Sequence, residues 1–131
     1  MNLPTHHQLR SLLEAIPPEQ WQQGDAGIHV KDGLLAIFFA PGYGSTLFAE
    51  RRQAFSAFLL RRPAREDDQF IEVMAGREFQ GRENAFVPFE MMWQAIAYFL
   101  NHRDLEPRLL WTEDWPFPDQ QPIDAPGRVQ D

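Results

Sequence analysis

The chain has 131 residues, 44% of them hydrophobic and 13% aromatic, which is enough to build one domain around its own core. It contains no cysteine, and this excludes disulfides, thiolate nucleophiles and thiolate metal ligands. A formal net charge of −7 argues against a phosphate-binding surface. The charge favours a basic partner, or else it serves only solubility.

The sequence shows no secretory or membrane-spanning pattern. Residues 1–16 lack the basic region followed by an apolar run that marks a secretory signal. The longest apolar stretch, residues 34–40, is far shorter than the ~20 residues that a membrane-spanning helix needs. We therefore expect a cytoplasmic protein with no membrane partner.

A short amphipathic helix is predicted over residues 5–16. Thr5 and Gln8 have the spacing of a capping box, in which each side chain bonds the other residue's backbone N–H. Pro17 and Pro18 then end the helix. The apolar residues behind the cap recur at helical spacing: Leu9, Leu12, Leu13 and Ile16.

Strands are predicted from residue 28 onward. Asp32-Gly33 is a hairpin signal between two apolar runs, and the second run is apolar on both faces, as in an interior strand with a helix over one side. Residues 42–45 are predicted to form a plain turn. Third and fourth strands are then favoured over residues 46–50 and 54–61, with a single helix over 48–60 as the alternative.

The second half of the chain is predicted to contain a charged loop, two strands and the clearest helix. Residues 63–68 form the loop, and residues 69–75 alternate between apolar and polar like a half-exposed strand. Gly76 and Gly81 punctuate the charged segment that follows. The helix opens at Pro88, and residues 108–111 form a last strand. One face of that helix is apolar: Phe89, Met92, Trp93, Ile96, Phe99 and Leu100.

These elements predict an α+β fold. We expect a mainly antiparallel sheet of about five strands, with an N-terminal helix and a longer C-terminal helix packed on it. Residues 1–115 would form the single domain, and residues 116–131 a Pro-rich acidic tail. Residues 112–131 contain five acids and one arginine, so −5 + 1 = −4 of the net charge lies there.

No catalytic or metal-binding constellation is visible in the sequence, so we predict that the protein is not an enzyme and uses no cofactor. His6 and His7 would point about 100° apart on a helix and would not converge on one ion. His29 and His102 lack a serine or an acid at triad spacing. Glu72 and Glu90 would form an acid pair only if the fold brought them together.

Five arginines form a local basic group, at positions 51, 52, 61, 62 and 65. Phe55 and Phe58 lie between them, a combination that single-stranded nucleic acid can use through stacking and phosphate contacts. The acids at 66–68 follow at once, and the whole chain is acidic. We therefore predict that the partner is not a nucleic acid.

One region resembles a known family. Residues 86–90 (FVPFE), the following MMWQAIAYFL and residues 106–111 (EPRLLW) are similar to the C-terminal half of the first-numbered immunity protein family of bacterial polymorphic toxin systems. The resemblance covers about residues 69–114. His102-Arg103-Asp104 stands where that family usually has a small residue and a glycine. The matching residues are Val87-Pro88, Ala95, Phe99, Pro107 and Trp111.

The resemblance implies an antitoxin. Members of this family often accompany nucleic-acid deaminase toxins, so the chain would bind such a toxin and cover its active site. The matched residues are expected to build the core. An acidic surface would complement the basic surface with which a nucleic-acid enzyme holds its substrate.

The candidate toxin contacts are chosen on physical grounds, as acids and an aromatic side chain outside the predicted core. They are Glu66, Asp67 and Asp68 in the charged loop, and Glu113, Asp114 and Trp115 after the last strand. Two other functions stay open. One is a type VI secretion adaptor or effector chaperone, and the less favoured one is a small ligand-binding domain.

Overall fold

The structure is a computed structural model that describes residues 6–16, 26–40, 42–74 and 78–113. In chain order the described elements are α1 His6–Ala15, β1 Ala26–Val30, β2 Gly33–Ala40, β3 Gly44–Arg51, β4 Phe55–Leu60, β5 Phe70–Met74, β6 Glu78–Arg82, a 3₁₀ helix Glu83–Ala85, α2 Phe89–His102 and β7 Leu110–Thr112. No helix among the described residues is long and apolar enough to cross a membrane.

The main sheet is antiparallel and has five strands in the order β1-β2-β3-β4-β7. Its first four strands form a meander in which each tight turn leads directly into a neighbour, as the hairpin signals predict. The predicted α+β class, with an N-terminal helix and a longer later helix, is confirmed. β2 contributes to the core from both of its faces, with Leu35 and Ile37 on one face and Ala36 and Ala40 on the other.

The segment between residues 44 and 60 forms β3 and β4, and the alternative helix over 48–60 is wrong. Alternation places Leu47 and Ala49 in the core on one face of the sheet, and Phe48 in the core on the other. Phe48 pairs with Phe58 across the strands, with ring centroids 4.9 Å apart. A helix could not bury both sets of side chains between two packed layers.

The two faces of the sheet are covered by different elements. Both helices contribute to the core on the first face, through Leu13 of α1 and through Met92, Ile96 and Phe99 of α2. We call this the helix side. On the second face Ile71 of β5 and the buried Phe86 pack against β2, β3 and β4. We call this the hairpin side.

The β5–β6 hairpin corrects part of the sequence prediction. β5 was expected from its alternation, but β6 was not, because its region is rich in charged and polar residues. Gly81, interpreted as punctuation, lies buried inside β6 opposite Ile71. At this position the hairpin therefore buries a residue without a side chain.

The end of α2 takes the backbone conformation that a glycine would normally supply. Arg103 has φ 54° and ψ 37°, in the left-handed region, and its N–H bonds the Phe99 carbonyl at 2.7 Å. Its guanidinium donates to the Leu100 carbonyl at 2.5 Å, so the side chain also caps the helix. The helix thus ends with an arginine at the place where the resembled family usually has a small residue and a glycine.

The approach to β7 is fixed by Glu106. Its buried carboxylate accepts from the backbone N–H and the guanidinium of Arg108, each at 2.9 Å, and these bonds lower the pKa of Glu106. The Trp111 indole N–H donates to the Glu106 carbonyl at 3.1 Å. Thr5, Pro17, Pro18, Gly76 and the tail 116–131 lie outside the described residues.

Candidate protein-binding surface

The charged loop folds into a closed turn at the end of β4. The N–H of Asp68 donates to the Arg65 carbonyl at 3.1 Å, and the Arg65 N–H donates to the Asp68 carboxylate at 2.6 Å. We call residues 65–68 the acidic turn. Glu66 and Asp67 form its tip, and both are exposed. Two of the predicted contacts are therefore held together on the surface by a hydrogen-bonded backbone.

Asp68 corrects the prediction that all three acids face a partner. Its side chain is fully buried, with one carboxylate oxygen 2.5 Å from the Arg62 guanidinium and the other 3.9 Å from that of Arg82. The hydrogen bond from Arg62 and the bond from the Arg65 N–H lower the pKa of Asp68 to about 2. Asp68 thus anchors the turn from inside and offers no side-chain surface to a partner.

A network joins the acidic turn to the 3₁₀ helix on the hairpin side. The Arg62 guanidinium lies 3.7 Å from the Glu83 carboxylate, which accepts from the Gln69 N–H at 2.8 Å. The Asn84 amide donates to the Arg62 carbonyl at 3.0 Å. Because hydrogen bonds hold the residues on both sides of the loop, the loop has one defined conformation.

Phe70 is an exposed aromatic residue that lies next to this network and was not singled out from the sequence. The residue is 44% exposed, and the Arg82 guanidinium lies over its ring, 5.3 Å from the centroid. The same guanidinium approaches Asp68, so Phe70, Arg82 and the acidic turn are coupled. The alternation of β5 could have found Phe70, since it places this ring on the same side as Glu72.

The second group of predicted contacts does not join the first. Glu113 is exposed and follows Thr112, which pairs with Phe58 in the middle of β4. The acidic turn follows the C-terminal end of β4. Asp114 and Trp115 lie outside the described residues. The described candidates therefore lie at different positions along β4.

The basic group of the sequence is also divided by β4. Arg51 pairs with Phe55 at one end of the strand, whereas Arg61 and Arg62 follow the other end. Arg51 forms an ion pair with Asp32 at 3.2 Å. Phe58, one of the two interleaved aromatics, is buried in the core. The arrangement does not provide the continuous basic and aromatic track that single-stranded nucleic acid uses.

The histidines and the acid pair are spread over the molecule. His29 lines a cleft of about 350 Å³ with Asp32, Glu50, Arg52 and Gln53, and His102 stacks on Tyr98 with centroids 4.3 Å apart. Among the described residues no group of three or more histidine and acid side chains could hold a metal ion.

The sheet separates the two acids that a paired-carboxylate site would need. Glu90 is on α2, on the helix side, where it pairs with Arg10. Glu72 is on β5, on the hairpin side. A paired-acid site for general acid–base chemistry would need these two carboxylates close together, and the fold keeps them on opposite faces of the sheet.

The comparisons with known proteins add no relative. Comparison of the chain with family models, with curated proteins and with solved structures found no match.

Proposed function

We propose that this chain is an immunity protein, an antitoxin that binds and neutralises a bacterial toxin that acts on nucleic acid, such as a deaminase. The observation that carries the proposal is the acidic turn. Glu66 and Asp67 are exposed on a backbone that the buried Asp68 holds in place, and the exposed ring of Phe70 lies beside it. Such a combination of rigid charge and aromatic surface suits recognition of a basic protein.

The packing of the resembled segment supports the same proposal. Val87, Ala95 and Phe99 are buried, and Trp111 is fixed by its bond to the Glu106 carbonyl, whereas Pro88 and Pro107 are exposed, contrary to the expectation that all the matched residues build the core. Where the residues that resemble the family lie in the core, the surface residues are free to differ and to match an individual toxin. The contacts are then expected among residues such as those of the acidic turn, which no family pattern specifies.

Inhibition would work by charge complementarity and by coverage. A nucleic-acid enzyme presents basic side chains where the phosphates of its substrate run. Carboxylates at the tip of a rigid turn can pair with those side chains without a large ordering cost on binding. A protein seated there excludes the substrate sterically.

Co-expression tests the function. Cells that produce the toxin domain encoded beside this gene are expected to survive when this chain is also produced, and the two proteins are expected to co-purify as a complex. Failure both to rescue and to bind would contradict an immunity role. Co-purification with a secretion-spike protein instead of the toxin domain would favour the adaptor function.

A further inference from the structure

A second recognition feature lies on the helix side of the sheet. A cleft of about 450 Å³ opens between α1, the N-terminal end of α2 and the turn between β2 and β3. We call it the helix cleft. Its walls are mainly apolar and include Leu13, Ile16, Phe39, Ser45, Phe89 and Met92. Both its volume and this composition, apolar walls with a few polar groups, are typical of a binding pocket.

The charge beside the helix cleft is negative. Glu14 lines it, and Arg10 lies 3.8 Å from Glu14 while also forming an ion pair with Glu90. Two carboxylates therefore share one guanidinium. That guanidinium is further held over the Phe89 ring, 5.4 Å from its centroid. The local sum is one negative charge next to apolar walls, which complements an apolar group with a positive charge beside it.

An exposed aromatic residue stands next to the cleft. Tyr43 is 61% exposed in the turn between β2 and β3, immediately before Gly44, which forms part of the cleft wall. Gly44 has φ 117°, and a Cβ there would lie 2.5 Å from the Val87 carbonyl oxygen. The close approach of this turn to the segment before α2 thus requires glycine.

The helix cleft and the acidic turn lie at the same end of the sheet. β2 ends at Ala40 and β3 begins at Gly44, and this end of the sheet is also where β4 ends at Leu60 and β7 begins at Leu110. Leu110 is itself 41% exposed. One partner seated over this end could contact apolar and acidic features together.

We infer that the helix cleft receives an apolar side chain of the partner protein, with a basic residue of the partner beside it. This inference rests on the proposed function and names a contact that such a function would use. In protein interfaces a few side chains that fill pockets contribute most of the binding energy, and Tyr43 would cover the inserted side chain from one edge. The acidic turn would meet basic side chains of the same partner.

The cleft itself can be tested on the free, full-length protein with a small aromatic cation. Phenethylammonium is titrated while the methyl NMR signals of Leu13, Ile16 and Met92 are followed. The anion 3-phenylpropionate, with the same ring and chain length, is the charge control. We expect saturable shifts at these methyls with the cation and binding weaker by on the order of tenfold with the anion.

A variant that fills the cleft completes this experiment. Ile16→Trp is expected to abolish the shifts caused by phenethylammonium, and circular dichroism checks that the variant is folded. If the cation shifts none of these methyls, or if the anion binds equally well, the inference is wrong. Neither result depends on the toxin, so a failure here leaves the proposed function standing.

The partner contact is tested in the complex with the toxin domain encoded beside the gene. Tyr43→Ser is expected to weaken the complex at least tenfold. The matched control is Leu12→Ser, which removes a side chain of nearly equal exposure, 60%, from α1 outside the cleft lining, and it is expected to change affinity less than twofold.

Binding measurements on the complex distinguish failure of this inference from failure of the proposed function. If wild type binds the toxin domain but Tyr43→Ser binds as well as Leu12→Ser does, the inference is overturned and the immunity function survives. If wild type does not bind the toxin domain, the proposed function fails, and the partner contact inferred from it fails too.

Discussion

Asp68 shows how far a single side chain can depart from what its sequence neighbours suggest. Three consecutive acids, Glu66 to Asp68, predict a solvated loop, and two of them are indeed exposed. The third is buried because Arg62 and Arg82 approach it from other elements. The sequence could not distinguish it, since these contacts depend on where the β5–β6 hairpin packs.

The carboxylate of Asp68 should make stability depend on acid pH. Its folded-state pKa is lowered to about 2, below its ordinary value, so the ionised form stabilises the folded state. That contribution is complete above about pH 4 and is lost as pH falls towards 2, because protonation removes the charge that Arg62 pairs with. Urea unfolding of wild type at pH 7, 4, 3 and 2 measures this loss.

Asp68→Asn is the control for this titration. Loss of the buried ion pair is expected to lower the thermal unfolding midpoint at pH 7 by about 5–10 °C, since Arg62 is left without its main partner. The stability difference between wild type and the variant should stay constant from pH 7 to about pH 4 and shrink below it. A difference that does not change down to pH 2 would show that Asp68 does not titrate in this way.

At the scale of elements, alternation and turn chemistry predict most of the sheet. The signals for β1 to β4 agree with each other: an Asp-Gly turn, a glycine-rich turn and apolar residues at alternate positions. β6 was missed because its sequence offers little apolar alternation, and its place is decided by pairing with β5. For a polar strand such as β6, pairing depends on tertiary context and is not visible in the local sequence.

The end of α2 was not foreseen either, because an arginine replaces the glycine that usually ends such a helix. Left-handed backbone costs a non-glycine residue ~1 kcal/mol, and Arg103 offsets it with bonds from its guanidinium to the Leu100 and Phe99 carbonyls. The side chain and the backbone therefore act in opposite directions on stability.

This opposition predicts an order among variants. Arg103→Ala keeps the strained backbone and loses the capping bonds, so it should be less stable than Arg103→Gly by ~1 kcal/mol. Gln53, with φ 63°, provides the comparison, because Gln53→Gly only relieves strain and should raise stability by ~0.5–1 kcal/mol. Urea unfolding gives all three values; equal stability of the two Arg103 variants would contradict the argument.

At the scale of the whole molecule, the fold decides which residues share a surface. The acidic turn and Glu113 are predicted together as contacts, but the β4–β7 register places Glu113 beside the middle of β4, whereas the acidic turn follows the end of that strand. Conversely, the helix cleft and the acidic turn lie at the same end of the sheet, on its two sides, although they are far apart in sequence. A single sequence does not show which distant residues come together in this way, because that follows from strand order.

Association rates with the toxin domain that the proposed function requires distinguish these two positions. Asp67→Lys and Glu113→Lys change the net charge by the same two units, one in the acidic turn and one after β7. If the acidic turn steers the encounter, Asp67→Lys should slow association about tenfold at low ionic strength. Because salt screens exposed charges, the difference from wild type should shrink in high salt.

Glu113→Lys then decides between local recognition and a general effect of acidity. A charge distributed only for solubility would make both variants slow association by the same small factor, since each removes an equal share of the net charge. A surface at the acidic turn predicts a large effect of Asp67→Lys and an effect of Glu113→Lys below twofold. The reverse order would move the binding surface to the edge of the sheet beside Glu113. Stopped-flow association at two salt concentrations measures each of these results on folded, full-length protein.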